Sequence, residues 1–487
     1  MIPMGEETKS IRDKYEVRRL KSPKGNPVNF EIEIREAGED LEFRVIGDDS
    51  QTSRKRKQIY SLDDRSHCAY LDLFTRLSID FGLRVPQNRL PLAKHSRDIP
   101  YSVVLTENLV PAMLYGYGDP AVIRVDCDGP QTGYYLVVTS NDAPNAFPVC
   151  YSSDLKDWSF RSFVFPEGET PLWAAKGLNI SDYWAPEMHY VGNEFRVYFA
   201  ARDKETLHLC IGMAKSAKPE GPFTTGEEPI LKGNAIDPHI FSEDQETSFL
   251  FWKEDNNGIW PGKLIDFLFR NPGLIGELFV GREDVITVSF IQTLWPWIRT
   301  LRSMERFLVS QILIESIIPE YISFKMRLKA LPSRADRIAD ISAILDLMTT
   351  PVYVQQLSSD GTRLVGKKTK IIENDLPWEA HLVEGMWVTR QHDRYYLFYA
   401  GNDFSTDQYG IGLAMADSLL GPYTKMEKPF LGSTNQWLAP GHPSIVKGPD
   451  NTYIMFLHAF FPQKAGYKEF RSLLSLPITF HEKGVSF

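Results

Sequence analysis

The sequence predicts a mainly β protein. Its core is a five-bladed β-propeller, with an N-terminal α+β extension and a helical insertion in blade three. Three observations predict this. A unit of roughly 50 to 65 residues, holding three or four strand-like runs, recurs five times, which is the signature of a propeller. Within each unit, β-branched and aromatic residues alternate between clusters of Gly, Pro, Asp and Asn, the pattern of strands and their turns. One stretch breaks the pattern with apolar residues at three- and four-residue spacing, the period of amphipathic helices.

Residues 1–105 precede the repeats. NFEIEIREAGEDLEFRVIG reads as a polar-faced hairpin and HCAYLDLFTRLSIDFGL as an amphipathic helix, together a small α+β module. The basic run SRKRKQ between them reads as a solvated loop. The propeller then occupies 106–261 and 351–487. The first unit is DPAVIRV, GYYLVVTS and FPVCYSSDLKDWSF. The second is WAPEMHYV, NEFRVYFAAR and LHLCIGMAKSAKPEGPFT. The third starts with IDPHIF and TSFLFWK and resumes at PVYVQQLSSDGTRLVG. The fourth is VEGMWVTR, RYYLFYAG and YGIGLAMADSLLGPYTK, and the fifth GHPSIVK, NTYIMFLHA and FRSLLSLPITF. Between the halves of unit three lies the helical insertion, 262–350. It reads as a lid, a packing block or a homo-oligomer contact. LWPWIRTLRSMERFL within it also has the make-up of a membrane-surface helix.

Composition narrows the class. Aromatics make up 12% of the 487 residues, which suits a sheet-rich protein or one that stacks sugars. A formal charge of −9 argues against nucleic acid as the main partner. The four cysteines show no CxxC spacing and read as free thiols of a reducing compartment. The first residues contain no apolar signal region, and no apolar run reaches membrane-spanning length, so a cytoplasmic protein is expected.

A propeller gathers the entrances of its innermost strands around one axis. The residues at those entrances are Asp119, Trp184 (with Ala185 and Pro186), Asp237, Glu384 and His442. Asp119 and Asp237 each precede a proline, which holds the residue before it extended. Taken alone, Asp-Pro is ordinary turn chemistry, and a lone His or Trp is ordinary core. Together, one per unit and in order, they place three carboxylates around a shared cavity. Such a ring is costly unless it binds cations or shares protons. It also suits glycoside hydrolysis, where one carboxylate activates water and one carboxylic acid protonates the leaving oxygen. Glu379, in PWEAH, is a second candidate acid. Glu384 is preferred because it directly precedes the strand run. Trp184, Trp387, Tyr117 and Phe147 are candidates for stacking on a sugar.

These motifs resemble glycoside hydrolase family 43, over 111–260 and 351–487. YGDPAVIRV is similar to the family's first-blade motif, which implies Asp119 as general base. DYWAPEMHYV resembles its second-blade WAP motif. AIDPHIF resembles the third-blade motif, which implies Asp237 as the residue that tunes and orients the acid. VEGMWVTR resembles the fourth blade, which implies Glu384 as general acid, although the family's EGP is EGM here, with Met386 third. LAPGHPSIV implies His442 near the axis, where in some members a His helps hold calcium through water. FRSLLSLPITF implies Arg471 as a substrate contact. The resemblance implies single-step hydrolysis with inversion of arabinose- or xylose-containing oligo- or polysaccharides, with no required cofactor. An exo-acting α-L-arabinofuranosidase or β-xylosidase is expected. An endo-arabinanase and a catalytically inactive carbohydrate-binding propeller are the alternatives.

Overall fold

The computed structural model describes residues 15–48, 55–90, 98–126, 131–178, 180–244, 247–332 and 335–487, with the side chains of 303, 304, 335 and 336 left out. The chain divides into two compact units. One contains Met1–Leu90, Pro261–Ile317 and Met326–Ser333; the other contains Pro91–Trp260, Ile318–Lys325 and Arg334–Phe487. This differs from the sequence expectation of a separate N-terminal module and a separate insertion. Most of the insertion joins the N-terminal strands in one body, and its last helix belongs with the propeller.

The smaller unit is built on a four-stranded antiparallel meander, Glu16–Lys21, Phe30–Ala37, Asp40–Asp48 and Lys55–Leu62. Alternation buries Phe30, Ile32 and Ile34 on one face. The helix His67–Phe81 starts where the Ser66 hydroxyl accepts from the Ala69 N–H, and it ends at Gly82 with φ 77°. The insertion helix Arg282–Ile298 packs on the strands through ring contacts Phe30–Phe290 and Phe43–Trp297 at 5.2 and 5.4 Å. Polar ties reinforce the packing, among them Ser22 to Thr293 at 2.7 Å and Arg84 to Asp284 at 2.7 Å. Residues far apart in sequence thus need each other to cover one sheet face. The basic run is not the expected loop: its described part, from Lys55, is a strand with Lys55 and Lys57 exposed. The Trp-rich run has no free membrane face, because Leu294, Trp295, Trp297 and Ile298 are all buried. No single helix among the described residues is long and apolar enough to cross a membrane.

The larger unit holds five antiparallel sheets in chain order. Their first strands are Ala121–Val125, Trp184–Val191, Ala235–Ser242, Val383–Gln391 and Leu438–Lys447. Each first strand lies against that of the next sheet, and the fifth returns to the first, which makes the ring of a propeller. Strand Ser102–Leu105 pairs with Arg471–His481, so N-terminal residues of this unit complete the last blade. Aromatic rings fill the space between blades. Phe147, Phe165, Tyr183 and Phe199 pack together between blades one and two. Polar side chains tie blades near their inner strands. Glu187 of blade two accepts from His239 at 2.7 Å and from the Ile240 N–H at 3.0 Å, and His239 accepts the Val388 N–H of blade four at 2.8 Å. Burial alone would push the Glu187 carboxyl up, but His239 and His189 outweigh it and hold the group at about 2.

Candidate active site

The inner strands share a local distortion. In blades two, three and four, three residues of the first strand face two of its neighbour, at Trp184–Glu187, Ile236–His239 and Glu384–Trp387. Blade five does this twice, between Leu438 and Gly441 and between Gly441 and Ser444. Such bulges re-aim a side chain and are common beside active sites. Residues of every inner strand or its entrance take a left-handed conformation: Asp119 (φ 51°), Ala185 (45°), Asp237 (55°), Gly385 (58°) and, in blade five, both Ala439 (51°) and His442 (50°), so Asp119 and Asp237 are not extended as the prolines after them predict. Non-glycine residues in that region cost about 1–3 kcal/mol each, a strain that tends to collect at functional sites. The equivalent positions therefore differ from the sequence alignment by one. Trp184 and Glu384 precede the left-handed residue of their blades, whereas Asp119, Asp237 and His442 occupy it. In blade four the left-handed position needs glycine. A Cβ on Gly385 would stand 3.0 Å from His442 Nδ1.

Asp119 sits in a cationic cradle. Its Oδ1 accepts from Arg471 Nη1 at 2.8 Å and lies 3.4 Å from the Nδ1 atoms of both His442 and His458. Its Oδ2 accepts from the Thr139 hydroxyl at 2.5 Å, and Thr139 in turn accepts the Ala185 N–H at 2.7 Å. Burial works to raise its pKa. Arg471, the two imidazoles and Thr139 outweigh burial and hold the carboxyl well below the usual carboxylate range. Arg471 can lie there because residue 118 is glycine: a Cβ would come within 2.0 Å of the guanidinium carbon. Gly118→Ala is therefore expected to displace Arg471 and cut kcat/KM by about 10²-fold. With its cation moved away, Asp119 binds a proton more readily, so the acidic limb of the pH–rate profile should rise. A pH titration of kcat/KM checks both.

Asp237 is set the opposite way. Burial, together with the charges of Glu384 and Asp119, raises it to about 6 against the opposing pull of His442 and Lys253. Its Oδ2 accepts the Gly385 N–H at 2.8 Å, which brings it beside residue 384. Glu384 accepts from Lys253 Nζ on Oε2 at 2.9 Å and from the Tyr409 hydroxyl on Oε1 at 2.8 Å. Glu379, the rival acid, is buried and consumed. It accepts from the Asp375 and Leu376 N–H groups at 2.9 Å, from Tyr399 at 2.7 Å and from Lys425 at 2.8 Å. It braces a turn of blade four.

The stacking candidates separate. Trp184 is half-buried, its Nε1 donates to Asn141 Oδ1 at 3.0 Å, and Tyr467 meets it edge-on at 6.5 Å. The other three do not face the site. Tyr117 is fully buried and donates to the Glu107 carbonyl at 2.7 Å. Phe147 is fully buried among the rings between blades one and two. Trp387 packs on His239 at 4.9 Å and lies in the core of blades four and five. Trp387 follows the bulge of its strand, and that register, which the sequence pattern does not reveal, turns it into the core. Lys253, Tyr409, Thr139 and His458 were missed. One signal for Lys253 was present: it closes the apolar run FLFWK, and hairpin register sets it opposite Ile236, next to Asp237.

Among the described residues no three His, Cys, Asp or Glu side chains form a set that could hold a metal. His442 Nδ1 lies 3.4 Å from the Asp119 carboxylate. A calcium of the kind the resemblance implies would be reached from His442 through water and not by a direct set of side-chain ligands.

A five-bladed ring whose inner strands present a carboxylate paired with Arg471, together with a raised Asp237 carboxyl beside Glu384, has the make-up of a propeller glycosidase. The family model described as glycosyl hydrolases family 43 matches residues 110–266 and 346–486, and the chain belongs to that family. A xylosidase/arabinosidase 43A of Humicola insolens is 39% identical over 92 residues, which is 19% of this chain and 25% of that protein. A xylosidase/arabinosidase of Bacteroides ovatus is 22% identical over 252 residues, 52% of this chain and 56% of that one. The chain thus spans a quarter to just over half of the curated relatives it matches. The crystal structure of a thermostable family-43 glycoside hydrolase superimposes with a TM-score of 0.51 at 22% identity, covering 76% of this chain and 92% of the other, a likeness of fold.

Proposed function

We propose that the protein is an exo-acting, inverting glycosidase that removes α-L-arabinofuranosyl or β-D-xylosyl units from short oligosaccharides. One observation carries the reading: folding gives the inner carboxyl groups different surroundings, Asp119 on the Arg471 cation at 2.8 Å and Asp237, raised to about 6, on the Gly385 N–H beside Glu384. Such separation of environments assigns base and acid. Asp119, kept ionised by Arg471, takes a proton from water. That water attacks the anomeric carbon on the face opposite the leaving group. Glu384 gives its proton to the glycosidic oxygen as the bond breaks. Asp237, raised only to about 6, is largely a carboxylate near neutral pH, and its charge beside residue 384 opposes a second negative charge there. Arg471 and Trp184 face the sugar. Inversion asks for a base-to-acid separation of roughly 6.5–9.5 Å to admit the water. The names of the curated relatives support the sugar class.

The test is release of nitrophenol from 4-nitrophenyl α-L-arabinofuranoside and β-D-xyloside, with the first-formed anomer read by proton NMR. Release with inverted configuration is expected from one of the two. Retained configuration would overturn the mechanism. Cleavage of arabinan oligosaccharides only at internal bonds would make the enzyme endo-acting.

A further inference from the structure

We propose that Lys253 and Tyr409 are positioning residues that grip the Glu384 carboxylate from its two sides, aim it, and set the pH at which it gives up its proton. This rests on Glu384 being the general acid. Each contact addresses a different oxygen, Lys253 Nζ on Oε2 and the Tyr409 hydroxyl on Oε1. Both donors are buried, Lys253 completely. Tyr409 in particular is held in place by its packing. The Tyr409 ring lies over Gly441, where a Cβ would come within 2.0 Å of it, and it stacks on His458 at an interplanar angle of 10°. His458 also accepts the Asp119 N–H at 3.1 Å. One imidazole therefore holds the backbone of the base and the ring that holds the acid. Lys253 stands opposite Ile236 on blade three, next to Asp237, with Asp255 at 3.5 Å as its second carboxylate.

The electrostatic sense follows from the neighbours. Glu384 is faced by Lys253 and Asp237 from blade three, by Tyr409 from blade four and by His381 from the turn before its own strand. Asp255 stands behind Lys253, and Asp119 and His442 stand on the side of Asp237 and Tyr409. Of these, the Lys253 cation and the Tyr409 donor favour the ionised acid, and the carboxylates oppose it. Removing either donor should make Glu384 hold its proton to higher pH. It should also leave the carboxyl less well aimed at the glycosidic oxygen.

The experiment compares Lys253→Met and Tyr409→Phe with the parent protein and with Glu384→Gln. Each is assayed on an oligosaccharide, whose leaving group needs a proton, and on a 2,4-dinitrophenyl glycoside, whose leaving group does not. For both donor variants the expected result is a basic limb of kcat/KM displaced upward by about one pH unit. The loss of kcat should reach about 10²-fold on the oligosaccharide and stay below about tenfold on the dinitrophenyl glycoside, with KM little changed. Equal losses on both substrates, with the basic limb unmoved and melting unchanged, would overturn the proposal. If Lys253→Met does not fold, Tyr409→Phe decides alone. If Glu384→Gln itself loses equally on both substrates, the assignment of the acid fails, and that result is distinct from failure of the two donors.

Discussion

Asp119→Asn should lower kcat/KM by about 10³-fold or more on every substrate, whatever its leaving group. General-base catalysis contributes about 10²–10⁴-fold, and here an amide cannot take the proton of the attacking water. The loss should be blind to the leaving group because it falls on the nucleophile. The cradle of Arg471, Thr139, His442 and His458 is built for a carboxylate, and the amide leaves the Arg471 charge without its 2.8 Å partner. The parent protein should keep its base ionised to pH values below the ordinary carboxylate range, because the cations that hold Asp119 outweigh its burial. Its acidic limb should therefore lie low. The same shift affects stability. A depressed pKa contributes stability that is present above the unfolded value of 3.8 and is lost as pH falls through the lower folded value. For Asp119→Ala, added azide should restore turnover and yield a glycosyl azide of inverted configuration, since a small anion fits where the base and water stood. Failure of both variants to slow the enzyme would remove Asp119 from the mechanism.

Glu384→Gln should show a loss that depends on the leaving group. A loss of about 10²–10⁴-fold is expected on oligosaccharides. On 2,4-dinitrophenyl glycosides it should nearly disappear, because that phenolate departs without protonation. The pH profile should change in a defined direction. In the parent, the Asp237 carboxyl binds its proton up to about 6, through burial and the charge of Glu384. Without the Glu384 charge, Asp237 moves back toward its ordinary value, and the limb due to the acid should flatten. For stability the sign is opposite to that of Asp119. A raised folded pKa contributes stability that is fully present below 3.8 and lost as pH rises through about 6. Glu384→Gln should thus lose less stability than the parent between those two values. Melting temperatures measured across that range check it.

Much of this protein was legible in order along the chain. Strand alternation and Gly/Pro punctuation are local, so the five blades could be read unit by unit. The three carboxylates could be read because each sits beside a motif that marks a strand entrance. The one-residue offset of Glu384 and Trp184 was not legible. A bulge is a property of a pair of strands, set by how two registers meet, and neither strand shows it alone. The stacking candidates failed for a related reason. Tyr117, Phe147 and Trp387 have the right chemistry, but the side of the sheet on which an aromatic ring lies depends on that register.

The sequence by itself determined the repeat, the blade count, the helical character of the insertion and the places of three candidate acids at strand entrances. Each of these follows from the period and chemistry of neighbouring residues. Only the tertiary structure decided that the N-terminal strands and most of the insertion share one body. They are joined by contacts such as Phe30–Phe290, between residues about half the chain apart. Only it decided, too, which carboxyl is pushed down and which is pushed up. Asp119 and Asp237 stand in the same Asp-Pro context and differ in what folding brings to them: Arg471 beside one, Glu384 beside the other. A charge 352 residues away in sequence acts at 2.8 Å in space, and Coulomb energy depends only on the second distance.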